Sequence, residues 1–114
     1  MSLRLTPDIL AAGYEFLRET KPFRGWRLPP SDEVGFHVVR DPKIHADFGV
    51  EKGEPVIRVS ENGAGHTVTL LAALAHEMIH LRQYKIGARD THGQTFRRMA
   101  HAVCREHGFD VKTF

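Results

Sequence analysis

The most chemically suggestive stretch of the sequence is His76-Glu77-Met78-Ile79-His80, in which a glutamate directly follows the first of two histidines. On an α-helix, residues i and i+4 lie on one face, so both imidazoles can point at one metal ion about 2.0 to 2.1 Å away, as zinc requires. Glu77 flanks that face, where its carboxylate can take a proton from water attacking a carbonyl. The pattern therefore indicates metal-assisted hydrolysis, with His76 and His80 as ligands and Glu77 as general base.

A purely structural interpretation of the same residues stays open, because a chain with eight histidines can produce this spacing by chance. In that interpretation His76 and His80 are half-buried core residues, and Glu77 is a solvated residue of the helix surface. The apolar residues Leu71 and Leu74, opposite the His/Glu stripe, favour the metal site.

A catalytic zinc ion usually has three protein ligands and an open position for water, so a third ligand is needed. In one HExxH subclass a further histidine follows at the position that Ile86 occupies here, which excludes that subclass. His92, at the front of the last predicted helix, is the first candidate. Glu106 is the rival, because thermolysin-like enzymes use a glutamate as third ligand.

Two predicted helices carry these residues. From Thr67 to Ile86 the sequence lacks proline and glycine and is rich in Leu and Ala, and Gly87 supplies the stop. A second helix is predicted from Gln94 to His107, with an apolar stripe and a capping box formed by Thr91 and Gln94. The tail that follows is predicted to be extended.

The first half of the chain predicts a helix and a small sheet. The helix spans Pro7 to Glu19 and is capped by Thr6. Short connections separate three β-like runs, which favours a three-stranded antiparallel meander. The runs are Gly35 to Arg40, Ile44 to Val50 and Pro55 to Ser60.

The last of these strands, Pro55 to Ser60, directly precedes the motif helix. One hypothesis is that it forms an open sheet edge above the metal, to which an extended peptide could add as a further strand. The alternative is that this strand is central and covered.

Composition limits the fold and the compartment. A length of 114 residues predicts one domain over 1–114, and the predicted helices and strands make it α+β. The single cysteine, Cys104, excludes an internal disulfide and favours a reducing compartment, and no apolar run approaches the roughly twenty residues of a membrane helix. A cytoplasmic protein is expected. The net charge of +2 permits contact with nucleic acid but does not indicate it.

The motif and its continuation resemble a known family. The run HEMIH at 76–80 is followed, after the eleven residues 81–91, by HGxxFxxM at 92–99. This arrangement resembles SprT-like metallopeptidase domains, the group that includes the Spartan proteases acting on proteins crosslinked to DNA. The resemblance is specific over Val56 to Phe114.

The resemblance implies a zincin-like fold, in which a small antiparallel sheet packs on the active-site helix. It implies a zinc-dependent peptidase that cleaves protein or peptide substrates, with proteins associated with DNA among the candidates. The family's zinc ligands map onto His76, His80 and His92, and its catalytic glutamate maps onto Glu77. The competing hypothesis is a protein- or nucleic-acid-binding module whose metal site is structural or degenerate.

Three residues near the motif are candidates for supporting roles. Tyr84 or Arg89 could assist at the carbonyl oxygen, although packing and solvated surface are the commoner roles of such residues. Asp90 could orient a ligand imidazole, and capping of the last helix is the equal alternative.

The remaining histidines are not expected to reach the metal. We predict surface positions for His37, His45 and His66. His101 and His107 are predicted to lie on a solvated basic face of the last helix. Cys104 is predicted to lie in the core.

Overall fold

The computed structural model describes residues 4–41, 43, 45–61 and 67–114. These residues form an α+β fold of three helices and one three-stranded sheet, with two short 3-10 turns between the first helix and the sheet. The elements are α1 (Pro7–Arg18), β1 (Gly35–Val39), β2 (Ala46–Glu51), β3 (Glu54–Ser60), α2 (Thr67–Ile86) and α3 (Gln94–His107).

The sheet is mixed, so the predicted antiparallel meander is wrong. The strand order is β1-β3-β2, with β3 parallel to β1 and antiparallel to β2. The strands do alternate in direction along the chain, but β3 inserts between β1 and β2 instead of pairing with the far edge of β2. A tight turn at Lys52 and Gly53, both with positive φ, joins β2 to β3.

The strand Pro55 to Ser60 is therefore central, which confirms the alternative of a covered strand and rejects the open-edge hypothesis. Val56, Ile57 and Val59 are all buried, so the strand is covered on both faces. Buried β-branched residues on both faces are typical of a strand in the middle of a sheet. Among the described strands, β2 instead lies at the sheet edge nearest the motif helix.

Helix α1 packs against α2 through a close approach at Gly13. A Cβ atom at Gly13 would lie 2.7 Å from Leu74 Cδ1, so the contact depends on the missing side chain. The predicted start of α1 is confirmed: the Thr6 hydroxyl accepts a hydrogen bond from the Ile9 N–H (3.2 Å), and Pro7 is the first helical residue. This packing holds one side of α2 in place.

Helix α2 is the centre of the fold and ends as predicted. Gly87 adopts a left-handed φ of 73°, and the Ala88 N–H donates to the Gln83 carbonyl across the helix end (2.9 Å). The buried residues of α2 pack against α1, the sheet and α3. They include Leu74, Met78, Ile79 and Leu81, each with no exposed surface.

The tail is not extended, contrary to expectation. The N–H groups of Thr113 and Phe114 both donate to the Asp110 carbonyl, at 3.2 and 3.0 Å. This turn brings Phe114 back against α2, where its ring lies near that of His76.

In the described part of the chain, none of the helices has the length and apolar character that a membrane span requires.

We expect Leu74→Ala to lower the free energy of unfolding by about 2 to 5 kcal/mol, because it leaves a cavity between α1 and α2. Val68→Ala, on the same helix but at a side chain that is 66% exposed, is the control and should change stability by less than about 0.5 kcal/mol. Denaturant unfolding followed by circular dichroism measures both. Equal stabilities for the two variants would contradict the packing described above.

Candidate metal centre

Three histidines that the sequence singled out lie together. His76 and His80 project from α2, and His92 projects from the turn before α3. The His92 Nε2 atom lies 3.3 Å from His76 Nε2 and 3.1 Å from His80 Nε2. Two nitrogen ligands of a tetrahedral zinc ion are separated by about 3.3 Å, given bonds of about 2.0 to 2.1 Å. The three side chains can therefore hold a metal ion.

The aromatic ring of Phe96 packs against all three histidines of the cluster. The Phe96 ring lies 4.8 to 4.9 Å from each of the three imidazoles, measured between ring centroids. Phe96 is buried in the first turn of α3, so it joins that helix to the histidines of α2. This contact gives a physical role to the phenylalanine of the HGxxFxxM pattern.

His76 is held through its second ring nitrogen. Its Nδ1 atom donates to the main-chain oxygen of Phe114 at 2.7 Å, which leaves Nε2 directed at the cluster. Burial lowers the pKa of His76 to about 4, so the imidazole is neutral at pH 7. A neutral imidazole is the form that binds metal ions.

Glu77 is nearly inaccessible, with 5% of its surface exposed, which contradicts the solvated position of the structural interpretation. Burial raises its pKa to about 8, and the nearby charge of Asp47 acts in the same direction. A divalent cation beside a carboxylate favours the ionised form and so lowers that pKa. The protonation state of Glu77 therefore depends on whether the histidine cluster holds a cation.

Two clefts meet at the cluster. One encloses about 530 Å³ between the first half of α2 and the tail, where Phe109 and Phe114 form part of its wall. The other encloses about 450 Å³ along β2 and the end of α2. Both are lined by Ala46, His76 and Glu77, so they form a groove that passes the three histidines.

Other predicted site residues lie outside the cluster. Glu106 is exposed on α3 and does not belong to the group of potential metal ligands found among the described residues. The third member of that group is His92. His45 is exposed as expected, although it lines the larger cleft. His37 is exposed on β1, and His66 lies outside the described residues.

Asp90 does not contact an imidazole. One carboxylate oxygen accepts the Thr95 N–H at 2.6 Å and the other accepts from the Gln83 side chain at 3.3 Å. The Thr95 N–H lowers the pKa of Asp90. Asp90 therefore caps the first turn of α3, and it is linked to His80 only through Gln83. The predicted Thr91/Gln94 capping box is wrong, because Gly93 is the N-cap residue.

Tyr84 and Arg89 both line the smaller cleft, and the Tyr84 ring lies near that of Phe48. Neither is among the described hydrogen-bonding partners of the cluster histidines, so their assistance at the carbonyl stays a prediction.

The predicted basic face of the last helix is exposed except at its end. Arg97, Arg98, His101 and Arg105 are exposed, as a solvated face requires. His107 is half-buried and shares a hydrogen bond with the Thr20 hydroxyl at 2.9 Å, so its prediction as part of that face is wrong. Cys104 is buried and its pKa is raised by burial, which confirms its core position.

Two contacts were missed by reasoning from the sequence. Gln83 accepts a hydrogen bond from His80 Nδ1 at 2.9 Å, and its position three residues after His80 was a signal that could have found it. The Phe114 main-chain oxygen that holds His76 could not have been found, because no side-chain type or spacing encodes it.

Comparison with curated proteins gives no match for this chain. A family model described as the SprT-like family matches residues 25–114, a range that contains the sheet, the three histidines and Glu77. The match covers most of the sequence, and the chain belongs to the SprT-like family.

Proposed function

We propose that this protein is a zinc-dependent metallopeptidase with a zincin-like fold. The observation that carries the proposal is the convergence of the Nε2 atoms of His76, His80 and His92 beside the buried carboxylate of Glu77. Family membership and the packing of α2 on the small sheet support it.

The residues fit a catalytic zinc ion better than a purely structural one. Structural sites are usually closed by four protein ligands, whereas catalytic sites use three and keep a position open. Among the described residues the ligand group has three members, and it faces the groove instead of the core. When bound, zinc supplies Lewis acidity that polarises water and a peptide carbonyl.

Glu77 then acts first as the general base and later as the general acid. Its carboxylate accepts the proton that the attacking water loses, and it later passes that proton to the nitrogen of the cleaved peptide bond. Burial excludes bulk water from the carboxylate, which strengthens its interaction with charges that develop nearby. His76, His80 and His92 hold their lone pairs toward one point and take no part in the proton transfer.

The free edge of β2 suits an extended peptide substrate. The Ser60 N–H donates to the His45 carbonyl at 2.9 Å, and bonded and non-bonded pairs alternate along an antiparallel ladder. It follows that Ala46 and Phe48 direct their main-chain groups away from β3, toward the groove that both residues line. A peptide that adds to this edge would run past the histidine cluster.

We expect the wild-type protein to bind one zinc ion per chain and His92→Ala to weaken zinc affinity by more than about 100-fold, beyond the usual effect of a non-ligand change. His101→Ala, an exposed histidine of α3, is the matched control and should retain wild-type affinity. Competition with a chromophoric chelator measures both affinities. Equal zinc binding by His92→Ala and the wild type would contradict the proposed ligand set.

We expect Glu77→Gln to retain zinc and to lose about 100-fold or more of its peptidase rate, because glutamine cannot accept the proton. Glu106→Gln, at an exposed glutamate, is the control and should keep full activity. Cleavage of an unfolded protein, with and without added DNA, is the readout. Full activity of the zinc-loaded Glu77→Gln variant would overturn the proposal, and an inactive wild type would favour a binding module.

We expect Ala46→Pro to lower the rate of peptide cleavage by about tenfold while zinc affinity is unchanged. Proline removes the main-chain N–H that would donate a hydrogen bond to the substrate strand, and such a bond contributes about 1.4 kcal/mol to binding. Val50→Pro is the control, because it also removes an outward N–H of β2 but at a residue outside both cleft linings. This variant should retain the wild-type rate of cleavage. Steady-state kinetics on a fluorogenic peptide decide the comparison. Unchanged cleavage by folded Ala46→Pro would reject strand addition at β2.

A further inference from the structure

Gln83 is a buried polar residue that lies beside the metal centre without belonging to the ligand group. Only 3% of its surface is exposed. It stands one helical turn after His80, and its side-chain oxygen lies 2.9 Å from His80 Nδ1. Burying an amide is unfavourable unless its groups are hydrogen-bonded, so the identity of its partners determines how it is oriented.

The second partner of Gln83 fixes the direction of the amide. Its Nε2 atom donates to Asp90 Oδ1 at 3.3 Å. A carboxylate only accepts hydrogen bonds, so the NH₂ group must face Asp90 and the carbonyl oxygen must face His80. His80 Nδ1 then has to be the donor, and in the neutral ring the lone pair lies on Nε2, which points at His92.

Asp90 is itself held in place by the start of α3. Its Oδ2 atom accepts the Thr95 N–H at 2.6 Å, and its main-chain oxygen accepts the Gly93 N–H. A Cβ atom at Gly93 would lie 2.8 to 2.9 Å from Asp90 atoms, so the turn can close only around glycine. The glycine that follows His92 is thereby explained.

We propose that Gln83 and Asp90 are positioning residues that together impose the metal-binding tautomer of His80 and tie the end of α2 to the turn that carries His92. This inference rests on the metal site of the proposed function. It adds the statement that metal affinity depends on Asp90, a residue whose contacts are with Gln83 and the α3 backbone.

Asp90→Asn is the sharpest test, because it changes the hydrogen-bonding pattern without changing the shape of the side chain. The oxygen of the introduced amide can still accept the Thr95 N–H, but its NH₂ group then faces Gln83. The Gln83 amide has to turn over, which presents its own NH₂ group to His80 Nδ1 and favours the tautomer with the proton on Nε2. That tautomer lacks the lone pair at the atom directed at the metal.

Two measurements follow the effect. Long-range ¹H–¹⁵N NMR spectra of the zinc-free protein report which imidazole nitrogen of His80 is protonated, and chelator competition reports zinc affinity. We expect protonated Nδ1 in the wild type, protonated Nε2 in Asp90→Asn, and zinc affinity about 10- to 100-fold weaker in the variant. Asp8→Asn, which removes an exposed first-turn aspartate from α1, is the matched control and should change neither readout.

Gln83→Met gives a second, independent variant, since it keeps the side-chain length and removes both hydrogen bonds. It should weaken zinc binding to a similar degree, and circular dichroism confirms that it folds. Wild-type zinc affinity in either folded variant, or an unchanged His80 tautomer in Asp90→Asn, would overturn the inference. A wild-type protein that takes up no zinc would contradict the proposed function, and the NMR spectra would still decide the His80 tautomer.

Discussion

The site depends on the burial of one helix that carries both core residues and polar chemistry. Leu74, Met78 and Leu81 are fully enclosed, while His76 and His80 on the remaining face stay half-buried at the groove. The helical period of 3.6 residues makes this division possible, because it places residues four apart on the same face. Without that packing the two imidazoles would not hold a common direction.

Burial changes the protonation of both His76 and Glu77. It lowers the pKa of His76 and raises that of Glu77, so both groups are driven toward their uncharged forms. Neutral imidazole is the state that coordinates a metal, and the charge of the metal would restore the ionised state of Glu77. The same desolvation thus keeps His76 in its neutral form, and it makes the ionisation of Glu77 depend on a nearby cation.

Hydrogen bonds from outside the ligand set determine where the imidazoles point. His76 is held by the main-chain oxygen of Phe114, and His80 is held by Gln83. Phe96 contacts all three rings and fills the space beneath them. The tail and the start of α3 are therefore parts of the centre, although neither was predicted to orient a ligand.

The sequence alone indicated the helices, the alternating directions of the strands and the pairing of His76 and His80 with Glu77, because these follow from local spacing, glycine stops and side-chain chemistry. It left His92 and Glu106 as alternatives for the third ligand, and the tertiary structure groups His92 with the other two histidines. The sequence did not determine the strand order, which depends on where β3 gains most burial, nor the turn of the tail onto His76. Those features arise from contacts between residues far apart in the chain. Such contacts leave no periodic signal, so only the tertiary structure could decide them.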